Sequence, residues 1–176
     1  MPNWCSNRVR VWADDTPSML EFKEFVMGRG ENKNRFSFES ILPMPEELRD
    51  VQSPVTIKTY KEIEDYKEKN KDTISMMGVG FPITQETSDR LDEAYGNNNW
   101  HDWSCDNWGV KWDCTNVEVT EEFADLELQY TFDTPWGPPA PIYDLIVAKF
   151  PDIGIQWFWD EPGCEQAGYL PFKEDR

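Results

Sequence analysis

Hydrophobic and polar residues alternate along three stretches of the chain, and this period of two is typical of strands with one buried face. The stretches are WCSNRVRVWA (4–13), NVEVTEEF (116–123) and DLELQYTFD (125–133). The last two are close enough in sequence to form a hairpin with its turn at 122–125. IGIQWFWD (153–160) predicts a further strand.

Four other stretches have the apolar spacing of three and four residues that predicts a helix. PSMLEFKEFVMG (17–28) follows the first strand, and IYDLIVAKF (142–150) follows a proline-rich turn. The charged segments TIKTYKEIEDYKEKNKD (56–72) and ITQETSDRLDEAYG (83–96) lie in the middle of the chain. FSFESILPMPEEL (36–48) predicts a short extended piece that stops at its two prolines.

The order strand–helix–insertion–strand–strand–helix–strand is that of a βαββαβ ferredoxin-like sandwich, an α+β fold. We predict one ferredoxin-like domain over 1–176 with a helical insertion at about 46–110. In the insertion, Thr84 is the expected N-cap of the second helix and Gly96 its end. Helices are expected on one face of an antiparallel sheet. The other face is expected to present Arg8, Arg10, Glu118, Glu127 and Gln129.

The stretch NNNWHDWSCDNWGVKWDC (97–114) contains four of the nine tryptophans and the single histidine. On a helix, Trp100, Trp103 and Trp108 lie within one arc, and Gly109 is expected to end that helix. An aromatic cage for a cation uses similar residues. A tryptophan stripe at helical spacing is more often part of a core, so we interpret this block as structural.

His101, Cys105 and Cys114, with Asp102 or Asp113, are residue types that bind zinc. Their spacing, H-x3-C-x8-C, matches no common zinc motif. On a helix, His101 and Cys105 lie on one face, where the imidazole could activate the thiol, yet no sequence feature indicates an oxyanion site or an orienting partner. The chain also lacks GxSxG, P-loop and GxGxxG motifs. We predict a protein that is not an enzyme and binds no cofactor, and whether these three residues bind a metal stays open.

The chain has 17 basic and 34 acidic residues, which gives a net charge of −17. Residues 97–176 contain 4 basic and 16 acidic residues, a net charge of −12. Such a surface repels nucleic acids and anionic membranes and attracts basic partners from about a Debye length, about 8 Å. A charge that serves only solubility is the alternative.

Apolar runs in the sequence are short. None reaches the roughly eighteen residues of a membrane span, and MPNWCSNRVRVW lacks the apolar segment of a signal peptide. We therefore expect a cytoplasmic protein that does not bind membranes. Its four cysteines are expected to stay reduced. They are Cys5, Cys105, Cys114 and Cys164.

Five ordered blocks resemble the YubB-like proteins of phages and plasmids. They are MPNWCSNRVRVW, FSFESILPMPEEL, NWHDWSCDNWGVKWD, FDTPWGPP and FWDEPG, spread from residue 1 to about 163. The resemblance implies a ferredoxin-like domain and an origin in a mobile element. It implies no catalytic residue, and residues 51–96 carry none of these blocks.

A small acidic protein of such origin suggests a non-catalytic counter-defence inhibitor of the anti-CRISPR or anti-restriction type. Its carboxylates would mimic DNA and bind the basic nucleic-acid groove of a host defence effector in the cytoplasm. Direct binding of nucleic acid is not expected. The predicted partner-binding residues are Glu118, Glu121, Glu122, Asp125, Glu127, Asp160, Glu161 and Glu165.

Two alternatives remain open at this point. The first is an adaptor that binds a protein through the apolar loop MMGVGFP (76–82) on the insertion. The second is a metal-binding or enzymatic protein centred on His101 and Cys105.

Overall fold

The computed structural model describes residues 3–28, 35–70, 80–122 and 125–171 of the 176-residue chain, without the side chains of 121 and 122. The chain divides into two compact units. The first is formed by Met1–Pro43 and Asn107–Arg176, and the second by Met44–Asp106. The second unit interrupts the first along the sequence. The single domain over 1–176 with an insertion at about 46–110 stays a prediction.

An antiparallel sheet organises the first unit. Its five strands in the described residues are β1 (Trp4–Trp12), β2 (Thr115–Glu122), β3 (Glu127–Pro135), β4 (Gly154–Glu161) and β5 (Gln166–Leu170). They lie in the order β2-β3-β1-β4-β5. Every neighbouring pair is antiparallel.

Helices connect these strands as the sequence predicts. α1 (Thr16–Val26) follows β1 and α7 (Ala140–Lys149) follows β3, while α2 (Phe38–Ile41) comes after α1. With the strand order β2-β3-β1-β4, these connections form the ferredoxin-like arrangement. The predicted fold class is therefore confirmed.

β5 follows the last strand that the sequence predicts and is an additional element of the structure. The strand pairs with β4 from Trp157 opposite Leu170 to Glu161 opposite Gln166. Within β5 only Leu170 is buried, so the segment shows no alternation of apolar and polar residues. A short edge strand of this kind gives little periodic signal.

Aromatic rings dominate the core on the covered face of the sheet. The Phe36 ring stacks on Phe132 with centroids 5.1 Å apart and meets Trp157 edge-on at 5.9 Å. Tyr143 of α7 also meets Trp157, at 6.1 Å. All but Tyr143 are at most 2% exposed. The Tyr143 contact joins α7 to the sheet, and Phe36 joins the segment before α2 to it.

A buried polar network lies within the same core. Trp157 Nε1 donates to Asn7 Oδ1 at 3.0 Å, and Asn7 Nδ2 donates to Thr134 Oγ1 at 2.8 Å. Thr134 Oγ1 donates to the carbonyl oxygen of Gly137 at 2.7 Å. Satisfied groups of this kind cost little when buried. The network ties the loop after β3 to the middle of the sheet.

The segment FSFESILPMPEEL is helical rather than extended, so that prediction was wrong. It contains α2 and, in the second unit, α3 (Glu46–Arg49). Asp113 stabilises the start of α2, because its carboxylate accepts from Ser37 Oγ and from the Phe38 N–H, both at 2.7 Å. Because the capping carboxylate lies 75 residues away in sequence, the residues around 38 contain no signal for the start of this helix.

The second unit contains α3, α4 (Tyr60–Lys69), α5 (Gln85–Tyr95) and the start of α6 (Trp100–Trp108), which ends in the first unit. Thr84 accepts from the Thr87 N–H, and Gly96 ends α5 at φ +75°, both as predicted. α4 buries no residue. In the described part of the chain, no helix is long and apolar enough to cross a membrane.

Ion pairing holds α3 to α5 within the second unit. Arg90 Nη2 lies 2.9 Å from Glu47 Oε1, and the Tyr95 hydroxyl donates to Glu47 Oε2 at 2.8 Å. These two partners lower the pKa of the Glu47 carboxyl. Exposed pairs of this kind contribute little to stability. The buried side chains of Leu48 and Leu91 provide the apolar part of this unit.

Candidate functional site

The sheet face opposite the helices is open to solvent. Along β1, buried and exposed residues alternate strictly. The exposed set on this strand is Trp4, Ser6, Arg8, Arg10 and Trp12. This face includes the residues that the sequence pattern assigned to the side away from the helices.

Residues of neighbouring strands form rows across the open face, because paired residues lie side by side on the same face. The register gives three such rows. The aromatic row is Glu118, Thr131, Arg8, Phe158 and Tyr169, from β2 to β5. The acidic row beside it is Asp133, Ser6 and Asp160, and the amide row on its other side is Gln129, Arg10 and Gln156.

Two depressions lie over these rows. The larger one, of about 420 Å³, covers the acidic row and part of the aromatic row. It is lined by Ser6, Asn7, Arg8, Asn116, Glu118, Thr131, Phe132, Asp133, Phe158 and Asp160. The smaller one, of about 270 Å³, is lined by Arg8, Arg10, Gln129, Gln156, Phe158 and Tyr169. Carboxylates are present in the first lining and absent from the second.

Hydrogen bonds hold one carboxylate of the larger depression in place. Asp133 accepts from Ser6 Oγ at 3.1 Å and from Asn116 Nδ2 at 2.9 Å. Asn116 has φ +52°, and the register of β2 shifts between Thr115 and Glu118. This irregularity aims the Asn116 amide at Asp133. Neither Glu118 nor Asp160 has an ion-pair partner in the described part of the chain.

The smaller depression combines positive charge with aromatic rings. The Arg8 guanidinium carbon lies 5.2 Å from the centroid of Phe158, within the range of a cation–π contact. Phe158 in turn meets Tyr169 edge-on at 5.2 Å. Arg10 forms an ion pair with Glu127. The described residues provide no such carboxylate for Arg8.

Trp12 borders the open face beyond the amide row. A Cβ atom on Gly154 would lie 1.9 Å from Trp12 Cε2, so the indole ring covers the backbone of this glycine. With Arg10, Glu127 and Gln156, Trp12 lines a shallow hollow of about 260 Å³. The absence of a side chain at residue 154 is what allows this close approach.

The eight predicted partner-binding residues are distributed unevenly. Glu118, Glu127 and Asp160 lie on the open face, where Glu127 is paired with Arg10. Asp125 and Glu165 are exposed, at φ +61° and +55°. The side chains of residues 121 and 122 lie outside the described set.

Glu161 does not belong to an exposed acidic surface, and including it was wrong. The residue is 2% exposed, because it alternates with Asp160 and faces the covered side of β4. Its Oε2 accepts from the Cys164 N–H at 2.7 Å. The carboxylate also raises the pKa of the Cys164 thiol through a hydrogen bond.

Sequence reasoning identified Glu118 and Asp160 but missed the other residues that line the two depressions, among them Arg8, Asp133, Phe158 and Tyr169. The alternation placed Arg8 on the outward face, but it gave no reason to connect this residue with β4 and β5. The signal that joins them is the register of the sheet, which single-sequence periodicity does not contain.

The tryptophan block is largely packed into the protein. Trp103 and Trp108 are 5% and 3% exposed. Trp108 Nε1 donates to the carbonyl oxygen of Leu42 at 2.9 Å, and its ring lies 6.1 Å from Phe38. Gly109, at φ +80°, follows the end of α6, as predicted. The interpretation of this block as structural fits these contacts.

The candidate metal ligands have other contacts. His101 Nδ1 lies 3.0 Å from Asp102 Oδ1, while Cys105 is exposed. Cys114 Sγ donates to the Phe36 carbonyl oxygen at 3.2 Å, and burial raises the pKa of this thiol well above its ordinary value. Among the residues that the structure describes, no three His, Cys, Asp or Glu side chains are grouped to hold a metal ion.

Most of the apolar loop MMGVGFP, residues 76–79, lies outside the described residues. Its end is held in the second unit. Phe81 forms a parallel bridge with Val51, and its ring lies 4.7 Å from Lys67 Nζ. A Cβ atom on Gly80 would lie 2.5 Å from the Val51 carbonyl carbon. The described part of this loop therefore packs against its own unit.

Comparisons with known proteins agree with the fold. Residues 107–176 match the family model for the ferredoxin-like domain in Api92-like protein. The crystal structure of the protein Api92 from Yersinia pseudotuberculosis is similar, with a TM-score of 0.53 and 12% sequence identity over 96% of this chain and 93% of that chain. No curated protein matches the sequence. The chain is thus an α+β protein with a ferredoxin-like fold, and its residues 107–176 are similar to the ferredoxin-like domain of Api92-like proteins.

Proposed function

We propose that this protein is a counter-defence inhibitor of a phage or plasmid that acts by binding rather than by catalysis. Carboxylates on the open face of its sheet occupy the basic nucleic-acid groove of a host defence effector in the cytoplasm. The resemblance of five sequence blocks to YubB-like proteins supports the mobile-element origin. The arrangement of carboxylates around the larger depression supports the mode of binding.

The observation that carries the proposal is the position of Glu118, Asp133 and Asp160 around this depression. Asp133 and Asp160 flank Ser6 on its two neighbouring strands. Two strand spacings separate their backbones by about 10 Å. Carboxylates on paired strands keep their relative positions before the partner binds. Little conformational entropy is therefore lost when they bind a basic groove.

Charge outside the depression strengthens this preference. The chain carries −17 in total, and 16 of its 34 acidic residues lie in 97–176. Such a field raises the rate of encounter with a basic surface and disfavours acidic competitors. The effect falls with ionic strength, which gives the proposal a measurable signature.

A triple variant, Glu118→Gln with Asp133→Asn and Asp160→Asn, tests the binding mode. The wild-type protein is used to capture its partner from the bacterial host, and the partner is identified. The affinity of this partner for the wild type and the variants is then measured between about 0.05 and 0.5 M salt. We expect about tenfold weaker binding for the variant at physiological salt and a smaller salt dependence. The matched control is Glu24→Gln with Asp144→Asn and Asp152→Asn, three exposed acids away from the open face. Equal losses for both variants would reduce the effect to net charge and refute the site.

A cellular assay tests the biological role. Cells with an active restriction or CRISPR system are challenged with a targeted phage, with and without this protein. We expect the wild type to raise plaquing efficiency and the triple variant to lose most of that protection, while the control variant keeps it. Absence of protection across several defence systems, together with capture of no basic protein, would contradict the proposal.

A further inference from the structure

The smaller depression differs in charge from the larger one. It is lined by Arg8, Arg10, Gln129, Gln156, Phe158 and Tyr169, a set with two guanidinium groups and no carboxylate. In a protein of net charge −17, this is a local positive site. Arg8 and Phe158 also line the larger depression, but the carboxylates of the proposed partner surface have no part in the smaller one. The role of the smaller depression therefore goes beyond that proposal.

We propose that this depression binds a single nucleotide, namely a nucleoside monophosphate. The base lies against the rings of Phe158 and Tyr169, and the phosphate bonds to the guanidinium of Arg8. Exposed aromatic rings on an open sheet are a good surface for bases, since every base has a π-face. Tyr169 is 51% exposed, which leaves its ring accessible.

Arg8 is the anion-binding group of the site. Its guanidinium has five N–H donors in a fixed fork that suits phosphate oxygens. The described residues give it no carboxylate partner, and its guanidinium lies over the ring of Phe158. Arg10, in contrast, is paired with Glu127 and contributes less net charge. A phosphate beside Arg8 therefore gains a charge-assisted hydrogen bond without breaking an ion pair.

Gln129 and Gln156 supply hydrogen bonds for a base edge. They flank Arg10 on the two neighbouring strands, in the row next to the aromatic residues. An amide side chain provides both donors and an acceptor, which matches the mixed pattern on the edge of a base. Charged groups alone would bind any anion, so the amides and rings are what favour a nucleotide.

The size and borders of the depression favour one nucleotide over a strand. Its volume, about 270 Å³, is slightly below the range of small-ligand sites, about 300–1,000 Å³, so it accommodates no more than one small ligand. A strand that continued across the face would bring its phosphates to Asp133 and Asp160 at one end and to Glu127 at the other. Repulsion at both borders limits binding to a single phosphate-bearing unit.

Amide chemical shifts of the ¹⁵N-labelled full chain provide the test. The ligands are AMP, GMP, CMP and UMP, the corresponding nucleosides, ribose 5-phosphate, and an RNA trinucleotide. At least one monophosphate is expected to shift the amides of β1, β4 and β5 around Arg8, Phe158 and Tyr169. We expect its nucleoside and ribose 5-phosphate each to bind about tenfold more weakly, because the nucleoside lacks the phosphate and ribose 5-phosphate lacks the base.

Two variants separate the roles of the rings and the charge. Tyr169→Leu should weaken the nucleotide and its nucleoside alike, by about tenfold. Arg8→Gln should weaken the monophosphate to the level of the nucleoside and leave the nucleoside unchanged. The controls, Tyr60→Leu and Lys61→Gln, change an exposed tyrosine and an exposed lysine in the second unit and should have no effect.

Several results would overturn the inference. One is the lack of localised shifts with any monophosphate up to about 5 mM, a concentration at which even weak specific binding is visible. Another is equal binding of ribose 5-phosphate and the nucleotide, since the base would then have no role. A third is tighter binding of the trinucleotide than of any monophosphate, because the face would then bind a strand rather than a single nucleotide. The triple acidic variant should bind nucleotide at least as well as wild type, so failure of the partner proposal leaves this test intact.

Discussion

The two faces of the sheet carry aromatic side chains in opposite settings. On the covered face, Phe132 and Trp157 are 2% and 0% exposed and touch other rings. On the open face, Trp12 and Tyr169 are 45% and 51% exposed. The strands are the same, and alternation along each strand separates the two sets.

The contacts of the rings differ as much as their exposure. Phe36, Phe132 and Trp157 pack against one another, which is how a core gains stability. Phe158 on the open face instead meets a guanidinium and Tyr169. Aromatic content by itself therefore does not distinguish stability from binding. The face on which a ring lies distinguishes them.

Trp157→Ala should have the largest effect on stability. We expect the free energy of unfolding to fall by about 3–5 kcal/mol, because a large buried ring is lost and Asn7 Oδ1 loses its indole donor. Urea denaturation of the full chain measures this. Trp12→Ala on the open face is the comparison, with an expected loss of about 1 kcal/mol. Similar losses for the two tryptophans would break the distinction between the faces.

Cys5 on the covered face should make stability fall at high pH. Burial raises the pKa of its thiol from 9.0 to about 11. The unfolded chain then loses this proton first, so the stabilising contribution is complete below pH 9.0 and disappears as the pH rises to about 11. The difference between the two pKa values corresponds to about 2–3 kcal/mol.

Urea denaturation of the wild type and of Cys5→Ala between about pH 8 and 11 checks this linkage. The variant should be less stable at the lower pH and should lose less stability as the pH rises. Part of the decline should remain, because burial also raises the pKa of Cys114. Parallel curves for the two proteins would show that Cys5 does not titrate differently on folding.

Gly154→Ala tests the packing of Trp12 on the open face. The added methyl group would lie 1.9 Å from the indole, so the ring must move. We expect a loss of about 1–2 kcal/mol. In a Trp12→Ala background the same change should cost little, which a double-mutant cycle of unfolding free energies would reveal. Additive effects would mean that the ring does not rest on this glycine.

Arg8→Gln should have the smallest effect on stability, below about 1 kcal/mol, because an exposed cation–π contact is weak. Its neighbour Val9 is 1% exposed on the covered face, and Val9→Ala should cost about 2 kcal/mol. Substitutions at adjacent residues of one strand are thus expected to lower the free energy of unfolding by different amounts. A large loss for Arg8→Gln would assign this arginine to stability rather than to binding.

Much of the fold follows from local patterns. The alternation in β1 and β3 predicted which residues are buried, and Thr84, Gly96 and Gly109 marked helix ends where the structure has them. These features depend on consecutive residues, so they are visible in the sequence alone. The same patterns were enough to predict a ferredoxin-like arrangement.

Local patterns did not predict the features that depend on residues far away in sequence. α2 begins at a carboxylate supplied by Asp113, and β5 exists because β4 offers an open edge. Glu161 was assigned to an acidic surface, although its position on β4 turns it toward the covered side. One step along a strand reverses the face, and the count of acidic residues does not contain that information.

The sequence by itself determined the excess of negative charge. It also determined the periods of the strands and helices, and these periods gave the class of fold. Only the tertiary structure decided that Arg8, Phe158 and Tyr169 form one row, and that Asp133 and Asp160 lie beside it. The physical reason is that periodicity arises from neighbours along the chain. Register arises from hydrogen bonds between strands far apart in sequence, and a binding face is a property of register.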